Sequence, residues 1–187
     1  MSLVLIKNSK DQIWELQLQV ARKTPYSRSA DGRAVLRSSI REYLCSEAMN
    51  ALGIPTTRAA SIVISDSTVV RDLLYDGNPV NGKCTVVFRL APSFIRFGSF
   101  EICLPKNELS GNSGPSNGME DELLPKLFEH VVKTHYSEIW QRYENEETSK
   151  EEMYMEAFVE ITRRTAQLVA KWQGAGFCHG VLNTDNM

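Results

Sequence analysis

"GFCHGVLNTDNM", residues 176–187, governs how the rest of the chain is read. It follows a long helix-patterned stretch and gathers His179, Gly180, Asn183, Thr184, Asp185 and Asn186 into eight residues. Two readings are open. The stretch can be a polar turn, because Asn, Asp and Thr side chains hydrogen-bond their own backbone. It can also be a phosphate-handling loop. Such loops set a carboxylate near an attacking hydroxyl and, a few residues away, an Asn that holds a metal ion bridging the phosphates.

Small-molecule kinases often write the second arrangement as H-G-D-x-x-x-x-N. His179, Gly180 and Asn186 fall on the His, Gly and Asn of that pattern. Val181 stands where the Asp belongs, and an apolar group cannot accept a proton. The only nearby carboxylate is Asp185.

Working outward, residues 153–175 predict a helix with Phe158, Ile161, Leu168 and Trp172 on one face and Gly174 and Gly176 to end it. A charge run, "ENEETSKEE" (144–152), reads as solvated, and another helix is expected over 120–136. "NELSGNSGPSNGME" (107–120), rich in Ser, Gly and Asn, reads as a linker or loop. Upstream the character changes. "IWELQL" (13–18) alternates as a half-buried strand does. The β-branched stretches "RAASIVI" (58–64), "STVVRDLLY" (67–75) and "KCTVVFRLA" (83–91) read as strands, with a turn at "DGNP" (76–79). "FIRFGSFEICL" (94–104) reads as a further strand or an irregular link. One helix is embedded among them, over 36–52, where Leu36, Ile40, Leu44, Ala48 and Leu52 recur at spacing four before Gly53 and Pro55.

The expected fold is therefore α+β, a protein-kinase-like two-lobed fold. Residues 1–104 form a strand-rich lobe with one αC-like helix, 105–119 a linker, and 120–187 the beginning of a helical lobe that ends in the catalytic loop. Many α+β proteins share this layout, so it carries little by itself.

Bulk properties narrow the classes. The 187 residues are 42% hydrophobic and 24% charged, the composition of a globular chain. A net charge of −2 leaves no basic excess for a nucleic-acid backbone. No apolar run approaches the roughly 18 residues of a membrane-spanning helix. "MSLVLIKNSKDQ" (1–12) reads as no targeting peptide. Cys45, Cys84, Cys103 and Cys178 form no C-x-x-C pair, so free thiols are expected rather than a zinc site or a disulfide framework.

"TPYSRSADGRAVLRSSIREYLCSEAM" (24–49), together with the closing loop, closely resembles the selenoprotein O family of kinase-like proteins. The resemblance runs from about residue 13 to the end and is loose over 105–155. It implies protein adenylylation: ATP lies in a flipped orientation, and AMP rather than phosphate passes to Ser, Thr or Tyr hydroxyls of proteins. It implies Mg²⁺ or Mn²⁺ as the ion and, in eukaryotes, a mitochondrial location. Carried over by resemblance, Asp185 is the catalytic Asp and Asn186 the metal-binding Asn. Glu42 is the helix Glu that pairs with a nucleotide-binding Lys, and Asp31 and Gly32 contact nucleotide. Arg89 and Arg96 hold its phosphates, a task suited to the guanidinium fork. Without the family, each has a plain alternative: an exposed helix Glu, a turn, a structural salt bridge.

The sequence also departs from the family. The pattern L-K-G-A-G reads Leu18-Gln19-Val20-Ala21-Arg22 here, so the expected Lys is Gln19. Glu42 is then expected to lose its cationic partner unless Arg22 or Lys23 replaces it. No Gly-rich nucleotide loop is visible in residues 1–12, and no D-Y-G motif follows the loop before Met187. The chain therefore reads as a fragment, inactive alone, of an adenylyltransferase. Two alternatives stand beside this: an ordinary phosphotransferase, and a non-catalytic nucleotide-binding or interaction module.

Overall fold

The computed structural model describes residues 2–19, 31–108, 111 and 113–187. Arg22 and Lys23, proposed as rescuing cations, and the "TPYSR" stretch lie outside the described residues. The chain divides into two compact units, Met1–Phe94 and Ile95–Met187.

The first unit is a five-stranded antiparallel sheet with one helix. Strands β1 (Ser2–Lys7) and β2 (Ile13–Gln19) form a hairpin. β3 (Ala34–Val35) leads directly into helix α1 (Leu36–Ala51), and β4 (Arg58–Arg71) pairs with β5 (Val80–Ala91). β5 is central: one edge takes β4 along its length, while the other takes β2 at 87–91 and β3 at 84–85. Val35, Ile54, Ala59, Cys84, Val87 and Ala91 are buried here.

One expectation changes, and one orientation that the sequence left open is set. The stretches 58–64 and 67–75 are not separate strands. They form the single strand β4, whose register shifts between Ile64 and Thr68. Ser65 and Ser67 bond each other through their hydroxyls at 2.9 Å within this irregularity, which absorbs extra residues without ending the pairing. The apolar row on α1 is also not the buried one. Ile40, Leu44 and Leu52 are exposed, Leu44 at 62%. The face against the sheet is polar: Ser39 Oγ meets Thr85 Oγ1 at 2.6 Å, Ser46 donates to the Thr57 carbonyl, and Glu47 binds Arg58. Ser39, Glu42 and Ser46 recur at helical spacing, so the seam is one face of the helix. Buried polar groups demand partners, and this set has them.

The second unit begins with a 3-10 helix, Phe97–Cys103, where a strand or irregular link was expected. Three helices follow: α2 (Glu120–His135), α3 (Ser137–Glu144) and α4 (Lys150–Gly174). α3 was not foreseen. Their core is Val132, Ile139, Met153 and Ala157, ringed by Phe128, Tyr136, Trp140, Tyr143 and Tyr154. α4 starts on a reciprocal cap. The Ser149 hydroxyl accepts from the Glu152 amide at 3.2 Å, and the Glu152 carboxylate accepts from the Ser149 amide at 2.8 Å. Met153 and Ala157 are its buried residues, whereas Phe158, expected on the core face, is 64% exposed. The 3-10 helix joins this core through Phe100, edge-on to Phe128 at 6.2 Å. The α+β class holds, with a strand-rich portion carrying one helix and then a helical portion. Among the described residues, no helix is long and apolar enough to cross a membrane.

Candidate active site

The closing loop is fastened at both ends. At its start, Trp172 near the end of α4 carries Phe177 edge-on at 6.0 Å and His179 tilted across it at 5.2 Å. The Phe177 amide donates to the Trp172 carbonyl at 2.8 Å. His179 is thus a packed aromatic, and its Nδ1 accepts from the Val181 amide at 3.3 Å. Gly180 has φ +77, a conformation that suits glycine.

At its end, the loop docks on the first turn of the 3-10 helix. The Gly98 amide donates to the Thr184 carbonyl at 2.8 Å, and the Phe97 amide to the Met187 carbonyl at 2.6 Å. The Thr184 hydroxyl donates to Glu101 Oε1 at 2.6 Å. These amides would otherwise be unsatisfied helix-start donors. The contact is close at residue 98: a Cβ there would meet Asp185 Oδ1 and the Thr184 carbonyl oxygen, each at 3.1 Å, so these neighbours would have to give by a few tenths of an ångström. Arg96 immediately precedes this helix. Its backbone is fixed by Ser99, whose hydroxyl accepts from the Arg96 amide at 3.1 Å. The Arg96 side chain is exposed and forms no salt bridge among the described residues. The second unit therefore joins Arg96, Asp185 and Asn186 through one short helix. Gly98, Glu101 and Thr184 were not singled out from the sequence. Nothing in their local spacing marks them, because the contact spans more than eighty residues.

Asn186 has a set orientation. Its Nδ2 donates to the Val181 carbonyl at 2.9 Å and to Asn183 Oδ1 at 2.8 Å. With the nitrogen engaged, the amide oxygen is the atom offered outward. Val181 thus serves through its carbonyl rather than its side chain. The amide oxygen of Asn186 beside the exposed carboxylate of Asp185 is a hard-oxygen donor pair, which fits Mg²⁺ or Mn²⁺ completed by phosphate oxygens and water. No cluster of three or more His, Cys, Asp or Glu able to hold a metal alone occurs among the described residues.

In the first unit, Glu42 keeps a cationic partner, against expectation. Arg89 Nη1, on β5, donates to Glu42 Oε1 at 2.6 Å and to Gln19 Oε1, on β2, at 3.3 Å. Its Nη2 donates to Thr57 Oγ1 and, at 3.5 Å, to the Thr57 carbonyl. Arg89 is buried at 8% exposure, while the Glu42 side chain keeps 39%. One guanidinium thus links β2, β5, α1 and the residue before β4. Next to it, Glu47 takes Arg58 through both oxygens and accepts from the Ala59 amide at 3.1 Å. The Arg58 guanidinium, then that amide, hold the Glu47 carboxyl down to about 2.

Asp31 and Gly32 do not join the Arg89 cluster. Asp31 forms a salt bridge with Arg71 at 2.7 Å and accepts from the Arg33 amide at 3.0 Å. The Arg71 bond, then the amide, lower its pKa below the ordinary Asp value. Gly32 has φ +68, so the turn needs it.

Comparison with known proteins matches the chain to a family. The family described as Protein adenylyltransferase SelO matches residues 1–187. The chain is 59% identical over 174 residues to a protein of Mus musculus named Protein adenylyltransferase SelO, mitochondrial, covering 93% of this chain and 26% of that protein. It is 56% identical over 183 residues to Protein adenylyltransferase SelO-1, mitochondrial, of Danio rerio, covering 98% of this chain and 26% of the relative. It is 49% identical over 174 residues to Protein nucleotidyltransferase YdiU of Xylella fastidiosa, covering 93% and 30%. The chain thus spans about a quarter to a third of the length of these relatives. Matched along its whole length, it belongs to the protein adenylyltransferase SelO family.

Proposed function

We propose that the protein of which this chain is the described part transfers AMP from ATP to Ser, Thr or Tyr hydroxyls of other proteins. The observation that carries the reading is the docking of residues 184–187 on the 3-10 helix that Arg96 begins. It sets the backbone next to Arg96 against the loop that carries Asp185 and Asn186. In this reading the target hydroxyl oxygen bonds to the α-phosphorus, and the bond from that phosphorus to the bridging oxygen breaks. Pyrophosphate leaves, and the hydroxyl proton goes to the Asp185 carboxylate. Asp185 is exposed, so a protein substrate has access to it. Arg96 and Arg89 bind phosphate oxygens, and Asp31 and Gly32 line the nucleotide. Glu42 holds Arg89 through its ion pair. Asn186 would hold the Mg²⁺ or Mn²⁺, which supplies charge neutralisation on the phosphates. The names of the eukaryotic relatives support a mitochondrial location.

The test is Asp185→Asn in the full-length protein, incubated with ATP and a protein acceptor. Wild type adds the mass of AMP to the acceptor, and the variant loses at least about 100-fold of that rate, the scale of general-base removal. Equal rates would refute the role. A second reading, a non-catalytic nucleotide-binding module, is favoured by Gln19 and by the engagement of Arg89 with Glu42. It predicts nucleotide binding with no acceptor modification.

A further inference from the structure

The Glu42 carboxylate sits where one buried arginine and one neutral amide meet. Arg89 Nη1 serves both Glu42 Oε1 and Gln19 Oε1, so those two oxygens are neighbours across a single nitrogen. Gln19 brings an acceptor and no charge to Glu42. Among the described residues the cationic partner of the carboxylate is Arg89, and a carboxylate beside a guanidinium offsets its charge. A triphosphate that uses Arg89 must compete with Glu42 for it.

We infer that Gln19 makes Glu42 an internal competitor of the nucleotide in this chain: the carboxylate holds Arg89, and phosphate binding at Arg89 requires that grip to loosen. The inference rests on the proposed nucleotide site. It assigns Gln19 and Glu42 as positioning residues that act through Arg89 rather than on the reacting atoms. Its physical basis is that the pair is close, at 2.6 Å, and that Arg89 is buried while Glu42 is part-exposed, so the exchange carries an electrostatic cost moderated by solvent at Glu42. It gives an unusual sign. Neutralising Glu42 should strengthen nucleotide binding, where removal of a supporting ion pair ordinarily weakens it.

Two measurements on the full chain test it. The first is ATP binding by calorimetry. Glu42→Gln should tighten ATP binding about tenfold, equivalent to one freed charge contact. Gln19→Lys should tighten it similarly, because an ammonium beside Glu42 takes over the carboxylate. In the Gln19→Lys background, Glu42→Gln should give no further gain. Weaker binding of Glu42→Gln would overturn the inference, as would an equal gain in both backgrounds. The second needs no nucleotide: a double-mutant cycle of Glu42→Gln with Arg89→Lys, read by urea unfolding. It should give a coupling of about fivefold or more in the folding equilibrium, falling towards unity in the Gln19→Lys background. A coupling that is absent, or indifferent to Gln19→Lys, would overturn it. If no variant binds ATP while the cycle behaves as stated, the proposed function fails and the competition of Gln19→Lys with Arg89 for Glu42 stands.

Discussion

Gly98 and Asp185 approach so closely that a single added carbon on Gly98 would lie 3.1 Å from the Asp185 carboxylate oxygen. The gap fixes where the loop can sit. A side chain at 98 must push Asp185 and the Thr184 carbonyl away, or break the Gly98 amide bond that holds them. Gly98→Val is therefore expected to cut AMP transfer about 100-fold through misplacement of Asp185, while the bulk of the fold survives. Turnover by the full-length variant, read beside its thermal unfolding, checks this. Undiminished turnover would contradict it.

The Thr184–Glu101 bond should be felt locally. Thr184→Val removes a hydrogen bond to a charged acceptor at an exposed site, worth about 1 kcal/mol. The Gly98 and Phe97 amides, which donate to the loop carbonyls, should exchange with solvent about fivefold faster. Hydrogen exchange at these two positions is the measurement. Unchanged rates would show that the hydroxyl does not hold the loop.

Acid should weaken the first unit through Glu47. Its folded pKa, about 2, lies below the 4.5 of an ordinary Glu. The folded state therefore binds that proton less readily than the unfolded chain. The stability Glu47 contributes is complete above about pH 4.5 and is lost as pH falls towards 2. Glu160, held down to about 2 by Arg163 and Arg164, acts in the same window in the second unit. Glu47→Gln should flatten the acid limb of the stability curve without abolishing it. A limb of unaltered slope would remove Glu47 from the account.

Ser149→Ala should cost the second unit about 1 kcal/mol, the usual value of a lost helix cap. Both bonds of the Ser149–Glu152 pair lie at the start of α4, the helix that supplies Met153 and Ala157 to the core. Ser149→Asp, which restores an acceptor, should recover most of the loss. Equal destabilisation by the two substitutions, read in urea, would contradict the capping role.

The sequence made α1 legible as a helix but left its orientation open. Leu36, Ile40, Leu44, Ala48 and Leu52 announce the period, yet the sheet takes Ser39, Glu42 and Ser46 instead. A polar face becomes an inward face only when its partners, Thr85, Thr57 and Arg89, are known, and these lie on distant strands. The Glu42 partner was missed for the same reason. Gln19 pointed to a missing cation nearby in the chain, while the cation came from β5. β4 looked like two strands because the polar Ser65-Asp66-Ser67 interrupts its apolar run, and backbone pairing with β5 carries it through. The 3-10 helix was invisible to periodicity at seven residues with Gly98 inside. Asp185 and Asn186, by contrast, were visible as candidates because their polar side chains sit in adjacent residues. The hold on them by Gly98 and Glu101 was not.

In the proposed reaction the loop and Arg96 serve transfer of the adenylyl group, which carries the α-phosphorus of ATP. The most direct measurement incubates the full-length protein and a protein acceptor with ATP labelled on either the α- or the γ-phosphorus. Label from the α position should appear on the acceptor with release of unlabelled pyrophosphate, and label from the γ position should leave with the pyrophosphate. Acceptor labelled from the γ position alone would contradict the account and assign ordinary phosphotransfer.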